Sequence, residues 1–529
     1  MSRLLHRFWS GVRGYFVGVP AMAHAPAGVV RRGGSGPVPI AHPVDDPAGT
    51  MRDGMAMNAL PLCIDLDGTL LRINSLHEAA FTAALADWRV LFLLPVWLAG
   101  GRARLKRELA ARWRFSAAQL PYSDELLRLL EQERARGRRI VLCTAADRQV
   151  AQAVASHLGV FDEVIASEGV SNLRGAHKAE ALCRRFGERG FVYAGNDATD
   201  HAVWQRAAAA VVVNAPAAVS RAAARRHRVV SVIDDGVPRM RAALRALRPY
   251  QWVKNLFTLV PLFTSGDLGN AAAWRHSLAI MAAFCATASA IYVLNDLSDL
   301  AADRAHPRKR QRPFASGALP LATGLAMVPV LFLIGAWLGV ASGAWLALAL
   351  YAVLSLAYTV RLKELPLIDV FILAALYSIR LLGGGEASGH RVSMWLLGFS
   401  SFLFLSLALV KRVSELYRLQ SAAQQRTERR GYTTGDLAML QMFGSAASFA
   451  SVVVLSLYVQ SDTALHAYAR PSMLWGAIPL LLFWQCRLWL STSRGYMNDD
   501  PIVYAARDWV SWLVFAGVVG VAVAAWLPV

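Results

Sequence analysis

Cysteine is scarce in this 529-residue chain, and the five present, Cys63, Cys143, Cys183, Cys285 and Cys486, show neither paired nor metal-type spacing. That argues against a disulfide framework or a cysteine-held metal and leaves free thiols in apolar surroundings. Acidic residues are also few, with 36 Asp and Glu against 55 Lys and Arg and a formal charge of +19. The first 58 residues lack a continuous apolar core of the signal-peptide kind. Rich in Gly, Pro and Ala and dotted with Arg, they read as a disordered or mis-started leader without a cleavable signal.

Apolar sequence, by contrast, exceeds what one soluble core can use. Hydrophobic residues make up 55% of the chain and mean hydropathy is +0.37, which predicts several membrane spans. The excess is uneven: residues 1 to about 247 carry only short apolar runs, and from about 250 onward apolar blocks alternate with short loops. A soluble domain at 59–245 and a membrane domain at 246–529 are therefore expected. A strong basic balance can signal nucleic acid. With Arg concentrated in loops between spans, attraction to anionic lipid and fixing of topology account for it better, and no nucleic-acid partner is expected.

Nine spans are expected, at about 252–266, 275–297, 319–339, 342–360, 366–383, 393–411, 438–459, 472–490 and 506–527. Alternate connections hold the positive charge, at 304–312, 361–363, 411–430 and 487–494. The positive-inside rule then predicts a multi-pass inner-membrane protein whose soluble domain and acid-bearing loops are cytoplasmic, with the C-terminus outside.

The most informative stretch runs from Asn295 to Pro313, where carboxylates and then a basic run end an apolar helix. Charge beside a membrane span usually marks function. Asn295, Asp299 and Asp303 recur every four residues, so on a helix they share a face and could hold Mg²⁺ on a diphosphate. Arg304, Lys309 and Arg312 could grip the remaining anion. A plain helix end followed by a positive-inside anchor explains Arg308 to Arg312 but not three ligand-type side chains in register.

In the soluble part, Cys63 to Leu70 form a short apolar strand ending in Asp65 and Asp67, then a glycine turn. Both acids would sit at a strand's carboxyl end, where open α/β sheets bind ligands. One could attack phosphorus while the other handles the leaving-group proton, and both could seat Mg²⁺. A second strand ends at Thr144, Lys178 opens a helix, and a third strand runs into Asn196, Asp197 and Asp200.

These ordered motifs, over about residues 60–215, resemble the haloacid dehalogenase superfamily, with its α/β Rossmann-like fold and helical cap. The resemblance implies Asp65 as a nucleophile forming an aspartyl-phosphate, Asp67 as general acid/base, Thr144 and Lys178 as phosphate binders, and Asp197 or Asp200 as a Mg²⁺ ligand with the two leading acids. The sequence departs from the family at Asn196, where an acid usually follows the glycine. The insert at about 71–121 would be the cap. Its apolar run Val90 to Leu98, followed by Arg102, Arg104, Lys106 and Arg107, is too short to span a bilayer; it suits either its surface or ordinary cap–core packing.

Residues from about 245 to 529 resemble the UbiA-type intramembrane prenyltransferase superfamily, nine helices around a lipid-accessible cavity. Within it they look most like the decaprenyl-phosphate phosphoribosyltransferase branch. The blocks that carry the likeness are Leu247 to Asn255, Asn295 to Pro313, Tyr358 to Lys363 with Asp369, Leu409 to Glu415, and Arg494 to Pro501. The resemblance implies transfer of 5-phosphoribose from phosphoribosyl diphosphate to a polyprenyl phosphate, with Lys254, Asn255, Lys309, Arg312, Tyr358 and Lys363 among the phosphate-binding residues and Asp369 as a second-site candidate. A fused phosphatase could then remove the 5-phosphate, giving a pentose donor for the cell envelope. Snorkelling would equally explain Lys254 and Lys363, and Lys411, Arg412 and Glu415 could be a surface ion pair. Three other readings stay open: an aromatic-substrate prenyltransferase using a polyprenyl diphosphate, a non-catalytic N-terminal docking domain, and a transporter with a soluble appendage.

Overall fold

The computed structural model describes residues 59–167, 173–421, 431–497 and 500–527; the leader at 1–58 lies outside them, as do Asn498 and Asp499. The N-terminal part is built on six parallel strands in the order β3-β2-β1-β4-β5-β6: β1 (Leu62–Ile64), β2 (Ile140–Asp147), β3 (Glu163–Ser167), β4 (Val192–Gly195), β5 (Ala209–Val213) and β6 (Val229–Ile233). β1, β4 and β5 are buried along their whole length. Such unbroken apolar runs belong in a parallel sheet covered by helices on both faces. The chain winds from β1 outward to β3 and then back to β4, so the crevice opens at the carboxyl ends of β1 and β4. Asp65 and Asp67 leave β1 at that point.

The insert folds as three helices, Ser75–Ala86, Val90–Ala99 and Arg102–Arg112. The first is capped by Asn74, whose side chain accepts from the His77 amide. In the second, Val90 and Trp97 are buried, with the Arg112 guanidinium 4.6 Å from the Trp97 ring. Its other side, together with Trp88, exposes Leu91, Phe92, Val96 and Leu98.

In the C-terminal part, seven helices among the described residues are long and apolar enough to cross a membrane, so the expected nine is not reached by that measure. Two segments fall short. The first expected span is an eleven-residue 3₁₀ run, Pro249–Leu259, continued by Val260–Ser265, where Pro261 has no N–H to donate back into the run. The second, Trp345–Val360, has 16 residues. The 3₁₀ run lies directly on helix Ile368–Ser388: a Cβ at Gly384 would stand 1.9 Å from the Thr258 carbonyl oxygen. Only glycine permits that approach, and small residues serve helix packing in lipid in the same way.

The two parts are joined by packing as well as by chain. Ala242 and Ala246 of helix Arg239–Ala246 share a buried cluster with Val293, Leu297, Phe314 and Leu319, and Phe81 of the insert packs against it. Beside this cluster the Arg304 guanidinium forms a two-pronged ion pair with Glu78, 226 residues earlier.

Candidate active sites

At the carboxyl end of the sheet, the Asp65 amide donates to the Ala194 carbonyl at 3.0 Å, locking the β1 exit against β4. Lys178 Nζ donates to Asp65 Oδ1 at 2.8 Å and to the Tyr193 hydroxyl at 2.7 Å. Burial pushes the Asp65 carboxyl up to about 7, against the pull of Lys178. Burial also raises Asp67, although the Ser75 amide and hydroxyl donate to its two oxygens at 2.8 and 3.0 Å. Ser75 opens helix Ser75–Ala86, so that helix aims Asp67.

Thr144 is buried on β2 and, with Asp65, Asp67 and Lys178, lines a cavity of about 660 Å³. Lys106 of the insert also lines it, its pKa lowered by burial, and donates to the Ala145 carbonyl. Its role was missed because one Lys in a basic run carries no distinguishing signal.

The last motif is arranged differently from the expectation. Asp200 does not line the cavity. One of its oxygens accepts the Asn196 and Asp197 amides, both at 2.9 Å, and the other accepts the Tyr193 hydroxyl at 3.0 Å. It shapes the loop, and Asp197 caps that loop's turn by accepting from Ala198. Asn196 lines the cavity, as Asp197 does, its side chain against Gly68 and within 3.3 Å of the Thr69 hydroxyl. Asp65, Asp67 and the Asn196 amide oxygen are hard oxygen donors of the kind that suits Mg²⁺.

In the membrane domain, helix Ala271–Ser298 turns at Asp299 into Leu300–Ala305, yet the i to i+4 ladder continues. The Asp299 amide donates to the Asn295 carbonyl at 2.9 Å and the Asp303 amide to that of Asp299 at 2.8 Å. The three side chains therefore keep one face. Asn295 Oδ1 is buried without a hydrogen-bond partner, a polar atom that a cation would satisfy. No cluster of three His, Cys, Asp or Glu stands ready for a metal among the described residues.

Ion pairs run through this motif. Arg312 pairs with Asp303 at 2.6 Å and with Asp296 at 3.0 Å, and Arg248 also pairs with Asp296. Asp296 falls outside the four-residue spacing of Asn295, Asp299 and Asp303, so its register puts it off their shared face. Arg304, expected to grip an anion, is instead committed to Glu78. Lys309 is exposed and Lys363 half-buried. Asp369 is fully buried, one oxygen accepting from the Tyr432 hydroxyl at 2.5 Å and the other paired with Arg412, which also bonds Tyr358. That places Asp369 and Tyr358 around a buried arginine.

A second polar centre lies deeper. Lys254 Nζ is 2.6 Å and Lys411 Nζ 3.4 Å from Asp500 Oδ2, with the Tyr377 hydroxyl 3.5 Å from its other oxygen. Asn255 Oδ1 accepts from Arg380 Nε at 2.7 Å, and Arg380 Nη2 donates to the Tyr351 hydroxyl at 3.1 Å. Two cations thus share one carboxylate, with Arg380 nearby over the same Tyr377 ring as Lys254, an arrangement that favours an added anion. Arg380 was overlooked, although a lone arginine inside the apolar helix Ile368–Ser388 was a readable signal.

The model of the UbiA prenyltransferase family matches residues 258–512 and that of haloacid dehalogenase-like hydrolases residues 62–205. An uncharacterised protein of Sinorhizobium fredii, y4nM, is 36% identical over 462 residues, 86% of this chain and 89% of its own. That alignment is too long for either domain alone, so it crosses both. The nodulation protein NoeC of Azorhizobium caulinodans is 36% identical over 51% of this chain and 89% of its own length. The decaprenyl-phosphate phosphoribosyltransferase of Mycolicibacterium smegmatis is 33% identical over 52% of this chain and 90% of its own. The chain is accordingly a multi-pass membrane protein that belongs to the UbiA prenyltransferase family, is related to decaprenyl-phosphate phosphoribosyltransferase, and carries an N-terminal haloacid dehalogenase-like hydrolase domain.

Proposed function

We propose that the membrane domain moves 5-phosphoribose from phosphoribosyl diphosphate to a polyprenyl phosphate, and that the N-terminal domain removes the 5-phosphate from the product. The observation that carries the reading is the excess of cations at one carboxylate, Lys254 and the half-buried Lys411 on Asp500 with Arg380 nearby on Asn255. It offers a phosphate site within the membrane domain. The relatives named decaprenyl-phosphate phosphoribosyltransferase support a phosphoribosyl group as the one transferred and a polyprenyl phosphate as its acceptor. The Arg-bearing loops support a cytoplasmic face for both sites.

In the transfer, the bond from C1 of the ribose to the pyrophosphate oxygen breaks and a lipid phosphate oxygen bonds to C1. The lipid phosphate is already ionised, so no strong base is required. Lys254 and Lys411 hold one phosphate, and Arg312 stands beside Asp303 for the other. Mg²⁺ bound by Asn295, Asp299 and Asp303 would offset the charge of the pyrophosphate.

In the hydrolysis, Asp65 attacks the phosphorus of the 5-phosphate while Lys178 and Thr144 hold its oxygens. Asp67 gives its proton to the departing sugar 5-oxygen and then takes one from the water that releases inorganic phosphate. Ser75 keeps Asp67 in line for both proton transfers.

The test is to incubate the detergent-purified chain with Mg²⁺, phosphoribosyl diphosphate and a polyprenyl phosphate, and to weigh the extracted lipid. A ribosyl lipid phosphate is expected from the wild type and a phosphoribosyl lipid from Asp65→Asn. A folded preparation yielding no sugar-bearing lipid, but able to prenylate an aromatic acceptor, overturns the transferase reading.

A further inference from the structure

The cavity that holds Asp65 and Asp67 is not a property of the N-terminal domain alone. Its charged side is that domain's: Asp65, Asp67, Lys106 and Lys178. Its lining also includes six residues of the membrane domain, Phe314, Gly317, Ala318, Leu319, Pro320 and Leu321, none with a charge or a polar side chain. This apolar stretch begins two residues after Arg312, the partner of Asp303.

The stretch is fixed in place. Phe314, Ala315, Leu319 and Leu321 are buried with Ala242, Val293 and Leu297. Arg304 Nε donates to the Ala315 carbonyl at 3.0 Å while its other nitrogens hold Glu78. Gly317, at φ +72°, lies so close to Arg72 that a Cβ there would stand 2.8 Å from the Arg72 Cβ and 3.0 Å from its carbonyl oxygen. Glu78 itself belongs to the helix whose first residue, Ser75, holds Asp67. The apolar wall and the acid/base group therefore share one rigid frame.

We propose that the phosphatase pocket is a composite site in which the segment Phe314–Leu321 is a specificity wall, selecting amphipathic phosphomonoesters over soluble sugar phosphates. The ligand class is a phosphosugar whose anomeric carbon carries a prenyl phosphate. A phosphate group needs the Lys178 side; it gains nothing from an apolar wall. A cavity of about 660 Å³ lies within the ~300–1,000 Å³ typical of sites that enclose a whole ligand. A molecule charged at one end and apolar at the other matches both sides. The inference rests on the phosphatase reading above and adds the residues that choose its substrate.

The experiment compares phosphate release by the full-length chain in detergent from two substrates, a short-chain prenyl-phosphoribose 5-phosphate and free ribose 5-phosphate. Two wall variants, Ala318→Phe and Ala318→Asp, are run beside the wild type, with thermal melting as the folding control. The wild-type kcat/KM is expected to favour the lipid-linked substrate by about tenfold or more, and that ratio to collapse toward one in the variants. A wild-type ratio near one overturns the composite site whatever the variants do, and leaves the phosphatase reading standing. A high ratio that survives in folded variants also overturns the wall's role. Release from neither substrate, by a preparation that still transfers phosphoribose, overturns the phosphatase reading and the proposal with it.

Discussion

Asp500 is one carboxylate facing Lys254 and Lys411, with Arg380 close by through Asn255. Removing one partner of a buried charge pair costs about 3–5 kcal/mol, because the charge left behind is uncompensated. Asp500→Asn is therefore expected to lower the melting temperature of the purified protein by several degrees. Lys254→Met with Asp500→Leu removes the closer pair together, and is expected to recover part of that stability, since Lys411 still loses its partner, without recovering sugar transfer. If the double variant regained transfer, the cluster would be structural only. A different carboxylate contributes to acid stability. Asp235 accepts from Arg72 at 2.7 Å, Asn214 at 2.8 Å and Ser123 at 3.0 Å. Although burial alone raises its pKa, these partners hold it below the usual carboxylate range. A depressed folded pKa contributes stability that is complete above the unfolded value of about 3.9 and lost as pH falls through the folded one. Asp235→Asn should flatten the acid limb of a plot of melting temperature against pH.

The insert helix Val90–Ala99 is the element whose exposure most needs a partner. Phe92 and Val96 are four residues apart, on one face, and both lie open with Leu91 and Leu98. Ten residues rise about 15 Å, half the hydrocarbon thickness, so this helix suits the bilayer surface. Replacing both Phe92 and Val96 with Asp should slow hydrolysis of lipid-linked phosphate in liposomes several-fold more than in detergent; equal effects in the two would return the helix to cap–core packing. Elements of this kind were legible, because an uninterrupted apolar run, or a strand ending in paired acids, is a local pattern. Strands β1, β2 and β4 and the long helices were readable for that reason, whereas β3 and the strands after β4 carry no such ending. The 3₁₀ run Pro249–Leu259 was legible only in part, as a span too short for a plain crossing helix; its seat against Gly384 on another helix was not. Nor were the partners of Asp200, Arg304 and Asp369, which are set by residues brought together in space: Tyr193, Glu78 and Arg412. Spacing could propose those side chains as ligands; only the fold showed what already holds them.

At the scale of the whole molecule the pair between Glu78 and Arg304 joins the two halves. It is buried at both ends, so Glu78→Gln leaves an arginine without its counter-charge at the boundary. A loss of about 3–5 kcal/mol is expected there. In calorimetry it should separate one melting transition into two, the soluble domain unfolding first. A single unchanged transition would mean that the apolar cluster around Phe314 and Leu297 joins the halves unaided. The wall formed by residues 314–321 carries a consequence for kinetics. Tethering turns a second encounter into an intramolecular one, at an effective concentration on the order of mM for short links. A lipid intermediate released into the bilayer would be diluted among all other lipids; one that passes to a pocket shared by both domains meets its next catalyst before it can be lost. The time course of ribosyl lipid formation should then show almost no lag, with the phosphorylated intermediate remaining a trace species throughout.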